Sequence, residues 1–138
     1  MSHADEPLVQ HLLTHTERPA IRNWHWWEHV GEETFLVTLS GGVPVGVLMA
    51  CRDAGPVAWV RIAALASHVA VGEWLDLCLP RLIPPLRRQG TRRLGWLDVG
   101  GWAGAALRAR WFQRETWLVT LGKGDHHLPH ATAQDAHV

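Results

Sequence analysis

Residues 34–66, TFLVTLSGGVPVGVLMACRDAGPVAWVRIAALA, carry three apolar runs set apart by two turn signals. Thr34–Leu39 is the first run. Ser40-Gly41-Gly42 turns the chain into Val43–Cys51, and Asp53-Ala54-Gly55-Pro56 turns it again into Val57–Ala66. β-Branched and aromatic side chains suit a pleated, half-buried surface, and loops this short join only antiparallel neighbours. The stretch therefore predicts a three-stranded meander. Downstream the apolar period becomes helical. Leu75, Leu79, Leu82 and Leu86 share one face of a helix predicted over Val71–Gln89, with Gly90 as its stop. Pro80, Pro84 and Pro85 each remove an amide donor inside that span and predict a kink, or a break before Pro84. Arg93–Val99 reads as a strand, Trp102–Arg110 as a short helix and Glu115–Leu121 as a last strand.

Upstream of the meander, Asp5 caps a helix opening at Glu6-Pro7, with Leu8, Val9, Leu12 and Leu13 on one stripe. Pro19 starts a second predicted helix with Ile21, Trp24 and Trp27 on one face, ending near Gly31. The order is α-α-β-β-β-α-β-α-β. It predicts an α/β (α+β) fold, a mixed and mostly antiparallel sheet flanked by helices. One domain is expected over residues 1–124: helices in 1–31, the meander in 34–66 and a helix–strand–helix–strand half in 70–123. Residues 125–138 read as a mobile, histidine-rich tail.

Composition bounds the function. The 138 residues are 47% apolar and 19% charged, enough to bury a core and too apolar for disorder. The formal net charge is zero, so neither nucleic acid nor an acidic membrane is expected as a partner. Nine tryptophans and no tyrosine point to a core built on indoles. Cys51 and Cys78 lie in apolar runs and read as buried free thiols. The start of the chain is polar and acidic, and no apolar run approaches the ~20 residues of a membrane span, so a cytoplasmic protein is expected.

From Thr34 to Lys123 this order of elements resembles the GNAT superfamily of N-acetyltransferases. Ala105-Ala106-Leu107-Arg108-Ala109-Arg110-Trp111-Phe112 followed by ETWLVTLGK (115–123) is similar to the family's closing helix, Gly-Phe turn and final strand, with Trp111 in the glycine's place. Gly42–Gly46 (GVPVG) also has the family's look. The resemblance implies an acyl-CoA-dependent N-acyltransferase that moves an acetyl group from acetyl-CoA to a small-molecule or protein amine, without a metal. It implies that the pantetheine arm pairs with main chain of Ile62, Ala63, Ala64 and Leu65. The pyrophosphate would rest on amides around Val71, Gly72, Glu73 and Trp74, at the positive end of a helix dipole. The family's loop there reads Gln/Arg-x-x-Gly-x-Gly/Ala; here it is Ala70-Val71-Gly72-Glu73-Trp74-Leu75, with one glycine and an acid. The family's tyrosine acid falls at Leu107 and its frequent asparagine near Gly100.

Two residues are candidates for the chemistry. His68, just after the strand Val57–Ala66, is placed to act as a base, or is a loop histidine. Asp98 is placed to orient an amine, or caps the turn Gly100-Gly101 and the helix after it. Arg61, unusual in an apolar run, faces solvent, or pairs with Asp98 or an anionic ligand. The basic run Arg87–Arg93 is read as a solvated, carbonyl-capping stretch. His25-Trp26-Trp27-Glu28-His29 matches the His-x-x-Glu-His zinc pattern, and His126, His127 and His130 are a further histidine group, but no metal is expected. The alternative function is a ligand- or partner-binding module that keeps the fold without transfer chemistry and uses Trp59 and Trp96. The family's strand before its first helix reads here as absent or supplied differently; a missing edge strand would expose sheet amides, and a homodimer is expected.

Overall fold

The structure is a computed structural model that describes residues 6–21, 25–53, 55–119 and 130–137. The meander forms as read: β1 (Phe35–Ser40), β2 (Val43–Arg52) and β3 (Val57–Leu65) pair antiparallel in order. Gly41 and Gly42 close the first hairpin at φ 57° and 80°, a left-handed pair that residues with a Cβ rarely adopt. α2 (Val71–Arg88) crosses over to β4 (Arg93–Val99), which joins β3 in parallel. α3 (Gly104–Arg108), β5 (Gln113–Val119) and β6 (His130–His137) complete a six-stranded sheet of order β1-β2-β3-β4-β6-β5. Every pairing except β3–β4 is antiparallel.

Three expectations change. The tail is not loose along its length: β6 lies between β4 and β5, with Gln134 and Ala136 buried. Its sequence, HATAQDAH, has small and polar residues where strands usually show β-branched ones, so the apolar period is missing. His126 and His127 lie outside the described residues. The second predicted helix is replaced by an extended piece ending in a bridge from Ile21 to Ala63, then a 3-10 turn at Trp26–His29. Pro19 biases Arg18 toward extended backbone, which fits the observed path better than a helix start; Trp24 lies outside the described residues. Finally, α2 continues unbroken through its three prolines. Pro80 and Pro84 are exposed, where water can take the carbonyls they leave unpaired.

Two apolar layers cover the sheet. On one face α1 (Glu6–His15) sets Val9, Leu12 and Leu13 on Val47, Met49, Ile62 and Ala64, beside Trp26 and Phe35. Trp26 Nε1 donates to Gln10 Oε1 at 3.0 Å, which pins the 3-10 turn to α1. On the other face α2 and α3 bury Trp74, Leu75, Leu82, Leu86 and Leu107 against Leu48, Val60, Leu65, Leu94 and Trp96. Each such side chain contributes ~1.5–3 kcal/mol by leaving water. Trp74 donates from Nε1 to Thr38 Oγ1 at 3.1 Å, and a Cβ on Gly46 would lie 2.6 Å from that nitrogen. The GVPVG stretch thus owes its second glycine to an indole. Among the described residues no helix is long and apolar enough to cross a membrane.

Candidate functional site: the gap between β3 and β4

β3 and β4 pair only at Val57↔Arg93, Ala58↔Leu94 and Trp59↔Gly95. Beyond Gly95, β4 goes on pairing with β6 through Val99, while β3 runs on to Leu65 without it. Two local features go with this separation. The β2–β3 register shifts between Met49↔Ile62 and Ala50↔Val60, leaving Arg61 as the extra residue of a bulge that bends β3. Arg61 faces solvent, as one of its readings had it, and its ion pair is with Asp53 at 3.6 Å and not with Asp98, which is buried and bonded to the Ala103 amide. At the last paired position, a Cβ on Gly95 would come 2.5 Å from the Trp59 ring, so the indole occupies the space where the strands part.

The gap holds a segment of the chain itself. Ile21 and Ala63 exchange both main-chain hydrogen bonds, Ile21 N to Ala63 O at 3.0 Å and Ala63 N to Ile21 O at 3.1 Å. Thr16 Oγ1 donates to Leu65 O at 2.7 Å, and Arg18 Nη1 donates to Ala66 O at 2.9 Å and Val69 O at 2.8 Å. From the β4 side, Trp102 Nε1 donates to Pro19 O at 2.6 Å, and the Arg18 guanidinium lies 5.8 Å from the Trp102 ring centre. Pro19 also explains Gly100, where φ is 77° and a Cβ would sit 2.5 Å from the proline Cγ. Thr16–Ile21 is therefore a strap bound to the β3 edge that β4 has left. The Ala63 and Leu65 main-chain groups assigned to a pantetheine arm are bonded to this strap. Ile62 and Ala64 point their side chains into the α1 layer. No strap residue stood among the candidates; Pro19, read as extended punctuation rather than a helix start, was the available signal.

At the start of α2, Val71 and Gly72 are half-buried, Glu73 is exposed and Trp74 is buried. The Trp74 amide already donates to Ala70 O at 3.1 Å, closing the first turn. Gly72 O accepts from Arg110 Nη2 at 3.0 Å, and a Cβ on Gly72 would meet that nitrogen at 2.9 Å, which accounts for the single glycine of the loop. Arg110 is fixed in turn by Asp76, at 2.7 and 3.0 Å, and by Ala106 O at 2.9 Å. That hydrogen bonding holds the Asp76 carboxyl below its ordinary range and raises Arg110.

The two chemical candidates lie in different settings. His68 is exposed and lines a cavity of about 220 Å³ with His11, His15, Thr16, Glu17 and Ser67, between the end of α1 and the loop after β3. Asp98 is 2% exposed, and its Oδ1 accepts from Ala103 N at 3.1 Å, so it caps the start of α3. Leu107, where the family carries its tyrosine, is fully buried in the core.

The sequence matches no protein-family model and no curated protein. Solved structures do resemble it in fold. Ribosomal-protein-alanine N-acetyltransferase from Brucella melitensis superposes with a TM-score of 0.72 at 18% identity, covering 100% of this chain and 97% of that one. Ribosomal-protein-S18-alanine N-acetyltransferase from Escherichia coli gives 0.70 at 14% identity, over 99% and 90% of the two chains. The structure of yncA from Salmonella typhimurium with its cofactor acetyl-CoA gives 0.68 at 17% identity, over 99% and 90%. With the meander, the parallel β3–β4 pair and its early separation, this likeness means that the chain has the fold of the GNAT acetyltransferases.

Proposed function

We propose that the chain is an acyl-CoA-dependent N-acyltransferase whose donor site is the gap between β3 and β4, covered in the free protein by the Thr16–Ile21 strap. The observation that carries this reading is the end of strand pairing at Trp59↔Gly95, six residues before the end of β3 at Leu65. An amide-bearing pantetheine arm offers the same alternating donors and acceptors as the strap, so it can replace Ile21 on Ala63 with no loss of hydrogen bonding. The diphosphate would then meet the opening turn of α2, where the dipole favours an anion and Glu73 stands exposed.

In the reaction an amine nitrogen attacks the thioester carbonyl, a C–N bond forms, and the C–S bond breaks to release CoA thiolate. His68, exposed in the loop after β3, takes a proton from the substrate ammonium so that the free amine can attack. With Leu107 in the core and no tyrosine in the chain, water protonates the leaving thiolate. Asp98 serves as a positioning residue, fixing α3 and the Gly100–Trp102 lip through the Ala103 amide. Positioning of amine and thioester supplies most of the rate.

One observation favours a second reading. The strap satisfies the β3 edge and Trp102 so fully that the fold would be stable as a binding module with no transfer chemistry. Calorimetry with acetyl-CoA, followed by thiol release with a panel of amines, separates the two. Binding with turnover supports the transferase, binding without turnover supports the module, and no binding at millimolar acetyl-CoA refutes the transferase.

A further inference from the structure

Away from the gap, at the closed end of the sheet, a side-chain cluster has a different use. His29 ends the 3-10 turn, Glu32 follows in the loop before β1, and Cys51 lies near the end of β2. One ligand atom from each, an imidazole nitrogen, a carboxylate oxygen and the thiol sulfur, lie within 4.8 Å of one another. His29 Nδ1 is 3.0 Å from Glu32 Oε1. The fully buried Met49 adds a thioether, its Sδ 3.0 Å from Cys51 Sγ. The His-x-x-Glu-His stretch does not assemble as a helical pair. Its His25 faces Glu28 at 3.9 Å, while His29 turns to Glu32 and the strand cysteine.

We propose that His29, Glu32 and Cys51 bind a zinc ion that clips the loop before β1 to the end of β2. Zinc is bound by thiolate, imidazole and carboxylate at ~2.0–2.3 Å, which for a tetrahedron sets the donors about 3.3–3.8 Å apart. The three donors, all within 4.8 Å of one another, close to that spacing on binding. A thiolate and a carboxylate neutralise the divalent charge, and the soft sulfur selects zinc over magnesium or calcium. Binding breaks the Cys51 S–H bond and releases its proton, and His29 binds as the neutral imidazole through Nδ1. The fourth position goes to water or to Met49 Sδ.

The test is cobalt titration of chelator-treated full-length protein, watched in the near-ultraviolet and visible. The expected result is one equivalent of Co²⁺ with a sulfur-to-cobalt charge-transfer band and tetrahedral ligand-field bands, all bleached by Zn²⁺. Cys51→Ser should lose the charge-transfer band, and His29→Gln should lose tight binding. Zinc should raise the melting temperature of the wild type but of neither variant. Absence of the bands in the wild type overturns the site, as does survival of the charge-transfer band in Cys51→Ser, which would place the ion on the other cysteine, Cys78. Both positions are only part-buried, so circular dichroism of the variants confirms that folding is retained.

Discussion

If acyl-CoA and the strap compete for one strand edge, weakening the strap must move stability and affinity in opposite directions. The perturbation is Thr16→Val with Ile21→Pro. The first deletes the hydroxyl that donates to Leu65 O at 2.7 Å with little change of shape. The second deletes the amide that donates to Ala63 O at 3.0 Å. Each bond contributes about 1 kcal/mol net, so the closed form loses about 2 kcal/mol relative to the open one. A ligand that binds only the open form has an apparent dissociation constant equal to the intrinsic one divided by the open fraction. The double variant should therefore bind acetyl-CoA up to about 30-fold more tightly, since 1.4 kcal/mol is tenfold. In the absence of ligand its unfolding free energy should fall by up to the same ~2 kcal/mol. Calorimetry gives the first quantity and urea unfolding the second. A variant that is less stable and binds acetyl-CoA no better, or worse, would falsify the competition.

Three further outcomes are expected. Trp111 holds φ 74° with its side chain 83% exposed, at the turn where the family has glycine, so Trp111→Gly should raise the urea midpoint by about 0.5–1 kcal/mol of stability. An unchanged or lower midpoint would mean that the indole is held by contacts that offset its backbone strain. The Asp76 carboxyl is lowered in the folded state, so its stabilising contribution is present above the ordinary aspartate range and is lost as pH falls through the lowered value. Melting of wild type and Asp76→Asn should differ at neutral pH and converge in acid; a constant difference would contradict this. β1 is an edge of the sheet, and Leu39 and Val43 beside its hairpin are 58% and 55% exposed. We propose pairing with a second copy there, which light scattering at micromolar protein should show as a dimer that Leu39→Lys dissociates; a monomeric wild type would rule it out.

What the sequence disclosed follows from where each constraint resides. The meander was legible because its strands alternate β-branched residues and its first turn is a glycine pair, both local signals. α2 was legible from its leucine spacing, and its prolines misled only about continuity. β6 was hidden because alanine, threonine and glutamine carry no apolar period; it is a strand because both neighbours need its main chain. Asp98 was open between two roles, and the Ala103 amide shows one of them, the cap. The strap was the least visible. Proline at 19 suits a helix start as well as an extended path, and the choice depends on Ala63, far along the chain, having lost β4 as its neighbour. Glycines 46, 72, 95 and 100 are likewise readable only through what touches them: Trp74, Arg110, Trp59 and Pro19.

The most direct test is amide exchange by NMR on ¹⁵N-labelled protein with and without saturating acetyl-CoA, followed at two residues. Without ligand both the Ile21 and the Ala63 amides should be protected, because each donates to the other residue's carbonyl. With ligand the account predicts that Ile21 loses its protection while Ala63 keeps its own with a shifted resonance, its acceptor having changed from peptide to pantetheine. Unchanged exchange and unshifted resonances at both amides in millimolar acetyl-CoA would contradict it.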